Sequence, residues 1–286
     1  MKIAIMTDTN SGISPTQAKE LGIFLLPMPI IIDEKVFFEG KNLTNDEFYT
    51  ALTGGRNLST SQPSPGDLIE AWENILKMGY DEIVHIPMSS GLSASCESAA
   101  LLAKDFDGRV LVVDNHRISV TLQEAVKVAK KMTDDGYSAV AIKNYLEKTA
   151  PDSIIYISVD TLEFLKKGGR ITAATAAIGS VLNIKPVLVI NGEKLDAFAK
   201  VRGIKKAKLS MIEALKNDLS KLPADTDLKK LKIGTAGAGL SDDEISEWVK
   251  QVQEAFPGYE VCYSPFSASV ACHTGPGAVG IAYSID

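Results

Sequence analysis

Three histidines and three cysteines among 286 residues leave little material for metal or redox chemistry. Cys96, Cys262 and Cys272 form no C-x-x-C pair, so their spacing supports neither a disulfide framework nor a zinc site. His85 and His116 lie far from His273 in sequence, and no metal-ligand cluster is expected. No apolar run reaches the roughly 18 residues of a membrane span, so integral membrane association is not expected. The opening MKIAIMTD is too short in apolar residues for a signal peptide, and the expected location is cytoplasmic. A cationic excess is missing as well: 30 Lys and Arg against 36 Asp and Glu give a net charge of −6. Lys166-Lys167, Lys205-Lys206-Lys208 and Lys229-Lys230-Lys232 are short clusters that read as solvated helix faces, and nucleic acid is not an expected partner. The glycine-containing run Ile233–Gly239 lacks the Lys-Ser/Thr of a P-loop, and no G-x-S-x-G elbow occurs.

What the chain does have is concentrated in residues 82–103. The β-branched run Ile83, Val84, Ile86 stops at Pro87, and Ser89, Ser90, Gly91, Ser93 and Ser95 follow within a short loop. The helical pattern Glu97, Ala99, Leu101, Leu102 comes next. A strand opening through a Ser/Gly loop into a helix N-terminus presents amide and hydroxyl donors to one spot, which suits a carboxylate or phosphate. The plainer reading is that these serines cap the helix and satisfy a turn.

The first 154 residues alternate strands with helices: Lys2–Met6, a helix near Pro15–Leu21, a Ser64-capped helix to Gly79, Ile83–Ile86, a helix near Ser95–Ala103, Val110–Val113, and a long helix reaching Gly136. That alternation predicts an α/β domain with a doubly wound parallel sheet over 1–154. Residues 24–62, with the run FLLPMPIII and a helix capped by Thr44-x-x-Glu47, interrupt it as an insertion packed over the sheet. Residues 155–286 predict an α+β domain, with a ligand tunnel between or within the two units. Thr161–Lys167 and a small-residue helix Thr172–Leu182 lead to a hairpin, Pro186–Ile190 with Lys194–Ala199, turned by Asn191-Gly192 in a type I′ conformation. A capping box at Ser241-x-x-Glu244 opens a late helix, and Glu260–Ser264 and Ala278–Ser284 are strands.

Three polar loops compete for one site: Thr60-Ser61-Gln62-Pro63-Ser64, the Ser89–Ser95 loop, and Ala271–Ala278 with His273 and Thr274. Each alone is an ordinary turn; together they can line a binding site if the fold unites them.

The segments TSQPS at 60–64, SSGLSAS at 89–95, DTLEFLKKGGRI at 160–171, KPVL at 185–188, KVRG at 200–203 and HTGPGA at 273–278 resemble the motif series of the DegV family, in the same order and over essentially the whole chain. That family consists of bacterial fatty-acid-binding proteins, of which the best-understood members present a long-chain fatty acid to a separate fatty acid kinase. The resemblance implies a lipid carrier with no cofactor of its own, not an enzyme. It implies a carboxylate held by Thr60 and Ser93 beside His273 and Thr274, with Ser61 and Ser95 in the same loops. Arg170 and Arg202 match the family's arginines, and the exposed one, expected to be Arg202, faces the kinase. The chain departs from the family pattern at Ala94-Ser95-Cys96, at Ser119–Gln123, where glycines are missing, and at Ala271-Cys272. A serine-dependent acyl hydrolase is the alternative, with Ser93 or Ser95 as nucleophile, His273 as base and an acid such as Asp114.

Overall fold

The computed structural model describes residues 1–177 and 184–286. The chain opens with β1 (Ile3–Asp8) and α1 (Pro15–Leu21), where Ser14 and Gln17 cap each other's backbone and Pro15 takes the first helical position. Next come β2 (Phe24–Leu26), β3 (Pro29–Ile32), β4 (Lys35–Phe38), α2 (Asn45–Thr53) and β5 (Leu58–Thr60). The Ser64 side chain caps α3 (Pro65–Lys77), which is followed by β6 (Glu82–Ile86), α4 (Ser95–Leu102) and β7 (Val110–Val112). Two helices, α5 (Ser119–Asp134) and α6 (Ala139–Lys148), complete this half; α6 is an element the sequence reading passed over.

Pairing sorts these strands into two sheets. One is parallel, in the order β2-β1-β6-β7, and the other is the antiparallel trio β4-β3-β5. The expected insertion at 24–62 is thereby shortened. Phe24–Leu26 pairs with Met6–Asp8 as an edge strand, while the antiparallel trio begins only at Pro29. Pro27 and Pro29, which cannot donate to a ladder, break the apolar run between the two sheets.

The second half supplies β8 (Ser153–Ser158), α7 (Glu163–Gly168), α8 (Ala173–Ala176), β9 (Ile184–Ile190) and β10 (Asp196–Arg202). Behind them come α9 (Ile204–Leu219), β11 (Leu231–Gly237), α10 (Asp242–Ala255), β12 (Val261–Pro265), α11 (Ala268–Thr274) and β13 (Val279–Ile285). The strands form one mixed sheet in the order β10-β9-β8-β13-β11-β12. Of the expected helix at 172–182, the part after Ala177 lies outside the described residues. The β9–β10 hairpin is present, but not with the expected turn. Val189 pairs with Asp196, so residues 191–195 separate the strands, and Asn191 is not among the residues with positive φ that a type I′ turn demands.

The three sheets share a core. The largest apolar cluster joins Ile5 and Val84, the α5 residues Val120, Leu122 and Val126, and Ile155, Ile157 and Leu188. α5 packs on β1 and also on β11 and β13. Buried Arg117 adds an ion pair with Asp286 across the same junction. An expected boundary at 154/155 falls inside β8, in a chain whose core runs straight past it.

Candidate functional site

Facing ends of β5, the loop after β6, α7 and α11 line a cleft that continues along β8 and β9. Much of its wall is aliphatic: Leu92, Ile118, Ile155, Ile157, Leu165, Ile190 and Leu195, with Phe266. Thr60, Ser61, Ser93, His273 and Thr274 line it as well, so five of the six residues expected at the fatty acid share one cavity.

The polar pair at its centre joins residues 213 positions apart: Thr60 Oγ1 lies 2.7 Å from His273 Nε2. Neither residue sits in a loop, as the motif reading supposed. Thr60 ends β5, and His273 and Thr274 close α11, whose first turn is capped by Ser267. Burial, reinforced by the positive charge of Arg170, pulls the His273 pKa down to about 4. The imidazole is therefore neutral at neutral pH, with one of the Thr60–His273 partners donating and the other accepting. One glycine makes room for the imidazole, and a second for the neighbouring Phe164 ring. A Cβ on Gly168 would fall 2.1 Å from His273 Nδ1. Gly275, at φ +76, ends α11 where a Cβ would fall 2.5 Å from the Phe164 ring.

Arg170 is in the cleft and not on a free surface: its Nε donates to Leu92 O at 3.2 Å and its Nη1 to Gly168 O. It puts a fixed positive charge beside the neutral donors. Arg202, at the end of β10, is exposed.

The serine loop does not offer the open row of amides expected of it. Ser89 N donates to Arg117 O, Ser90 N to Asp114 Oδ1, Gly91 N to Ser89 Oγ, and Leu92 N and Ser93 N to Ser89 O. Ser95 N donates to Ser93 Oγ at 3.2 Å. Bonds within the turn and to the neighbouring 114–117 segment consume these donors, and Ser93 remains as the loop's hydroxyl bordering the cleft. Ser95 is not beside it. Its side chain borders a separate small cavity with Asp8, Gln62 and His85, because it begins α4 and turns away from Ser93.

Sequence reasoning missed Asn10, Ser269 and Ser119 as cleft residues. Asn10 Oδ1 accepts from Ser267 Oγ at 3.0 Å and Ser269 Oγ at 2.8 Å, and its Nδ2 reaches Met88 Sδ at 2.9 Å. Its place just beyond the carboxyl end of a parallel strand is the signal that could have found it. A hydrolytic triad is not assembled: His273 Nε2 is engaged by Thr60, and Asp114 faces Ser90 and His116. Among the described residues no His, Cys, Asp and Glu cluster could hold a metal ion, and no helix is long and apolar enough to cross a membrane.

Comparison with known proteins gives one consistent family. The model of "Uncharacterised protein, DegV family" matches residues 2–286. A DegV domain-containing protein of Deinococcus radiodurans is 33% identical over 99% of this chain and 98% of its own length. A DegV family protein from Thermus thermophilus, whose structure is described by its fatty acid binding, superposes with a TM-score of 0.89 at 30% identity and full coverage of both chains. DegV from Bacillus subtilis, a fatty acid binding protein, superposes at a TM-score of 0.84 with 28% identity, again over the whole of both chains. The mixed α/β architecture, the motif order and these matches over the whole chain agree, and the chain belongs to the DegV family.

Proposed function

We propose that the protein binds one long-chain fatty acid in this cleft and presents its carboxylate to a separate kinase for acyl-phosphate formation. The observation that carries the binding is the union of an aliphatic wall with the Thr60–His273 pair, 2.7 Å apart, and the Arg170 charge in one cavity. Fatty acid binding by the Thermus thermophilus and Bacillus subtilis relatives supports it.

A sixteen-carbon chain carries about fourteen methylenes at ~0.8 kcal/mol each, or roughly 11 kcal/mol gross on burial. After an association cost of about 4 kcal/mol, about 7 kcal/mol remains, so the tail alone supports binding on the order of 10 μM. The head group then needs placement more than attraction. Thr60 and Ser93 hydroxyls would hydrogen-bond the carboxylate, with His273, Thr274 and Ser61 beside them and Arg170 balancing its charge. The tail would run as in a tunnel along Ile118, Ile155, Ile157 and Ile190. A chain acting as carrier needs no catalytic group of its own, and the exposed Arg202 would meet the kinase or the phosphate in transfer.

Denaturing mass spectrometry of protein purified from a bacterial host, followed by titration of delipidated protein with C14–C18 fatty acids, tests the reading. One bound fatty acid per chain and saturable uptake are expected; lipid-free protein that takes up none of the series would end it.

A further inference from the structure

Ser119 stands apart from the carboxylate-facing residues. It begins α5, which packs on β1, β8, β11 and β13 and on the Thr9–Ser11 turn, whereas Thr60 and His273 belong to β5 and α11, which pack on each other. Only 4% of it is exposed, it borders the cleft, and its Oγ has no hydrogen-bond partner among the described residues. Its neighbours on the cleft wall include Ile118 and, from β8, Ile155 and Ile157. Its backbone is also held at φ +53, a region that residues other than glycine seldom adopt. Buried hydroxyls are almost always paired, and one left unpaired in an aliphatic wall calls for a partner that arrives with the ligand. A serine hydroxyl both donates and accepts, so it can pair with a hydroxyl or an oxo group but gains nothing from a saturated chain.

We propose that the preferred ligand is an oxygenated long-chain fatty acid, with Ser119 Oγ hydrogen-bonded to a hydroxyl carried partway along the tail. The proposal rests on the fatty acid reading above and adds a second polar anchor to it. Ser119 is then a specificity-determining residue: an isomer with its hydroxyl at the right carbon pairs with Oγ, and any other isomer buries that hydroxyl unpaired.

The test titrates delipidated protein with stearate and with a series of monohydroxystearates whose hydroxyl is moved along the chain. One isomer should bind about five- to tenfold tighter than its positional neighbours. Ser119→Gly, which tolerates a positive φ, should lose that optimum, binding the isomers alike whatever its affinity for stearate. Ser119→Cys, close in size and a weak donor, should flatten it in the same way. Stearate bound without any positional optimum overturns the inference and leaves the fatty acid reading standing. An optimum that survives both substitutions also overturns it. Failure of stearate and every isomer to bind overturns both.

Discussion

Substituting Gly168 by alanine isolates the steric logic of the head-group end. The new Cβ would stand 2.1 Å from His273 Nδ1 and 2.9 Å from Cε1, where ordinary contact begins at 3.4 Å. The ring must therefore retreat by about 1.3 Å, the difference of those two distances. Toward Thr60 it would overlap the hydroxyl already 2.7 Å away; in other directions it leaves hydrogen-bonding range. Either path breaks the pair. Overpacking of this kind costs about 1–3 kcal/mol of stability, and a mispositioned donor about 1 kcal/mol of ligand binding, or roughly fivefold. Gly169→Ala is the control. That residue sits at φ +70 with nothing within 4 Å of an added Cβ, so it carries backbone strain without collision. Its variant should lose about 1 kcal/mol of stability and keep its affinity. Calorimetric titration with palmitate, paired with thermal denaturation, reads both quantities. A Gly168→Ala protein that binds like wild type, or a Gly169→Ala protein that loses affinity equally, would refute the reasoning.

Three further outcomes are expected. Ser93→Ala should weaken fatty acid binding by about 1–2 kcal/mol while Ser95→Ala leaves it unchanged, since Ser95 borders a different cavity; equal losses in a binding titration would contradict that geometry. Arg202→Ala should leave lipid binding intact and slow phosphorylation by a cognate kinase with ATP, and an unchanged rate would return Arg202 to a solvated surface charge. Burial raises the Asp8 pKa from 3.8 to about 6 against the opposing hydrogen bonds from Met88 N and Asn10 N. The folded state thus holds this proton longer than the unfolded state, and the contribution is lost as pH rises from about 4 through 6. His85, which borders the same small cavity, is pushed down to about 3 by its own burial and stays neutral in the fold across that window. From pH 4 to 7, chemical denaturation should show Asp8→Asn gaining about 3 kcal/mol on wild type; a pH-independent difference would remove Asp8 as the source.

Local grammar was the legible part of this chain. Capping boxes at Thr44–Glu47 and Ser241–Glu244, and the Ser64 cap with Pro65 behind it, mark real helix starts. The strand and helix alternation of the first half announced the parallel sheet because each signal lies within a few residues. Long-range pairing was not legible. Nothing near Phe24 says that it will lie beside Met6, and nothing near His273 says that Thr60 will stand 2.7 Å away. The motif series brought these loops together only through resemblance, and it could not show that His273 ends a helix or that the amides of the serine loop are already satisfied within the protein. Ser119 showed in the sequence only as part of the Ser119–Gln123 departure from the family pattern, since its positive φ and unpaired hydroxyl exist only in three dimensions.

The place of β13 has a consequence for how the protein is made. It is the last of its sheet's strands in sequence, yet it lies between β8 and β11. As synthesis proceeds, β8 to β10 and β11 with β12 emerge as two separate blocks, each with a bare edge of N–H and C=O groups awaiting the same absent strand. Those edges are the nascent chain's liability, an invitation to pair with neighbouring polypeptides. Because β8 also carries Ile155 and Ile157, the aliphatic wall is not buttressed until residues 279–285 have left the ribosome and inserted. Capture of a lipid would then be a mark of completed folding, carried only by molecules whose central strand has found its slot.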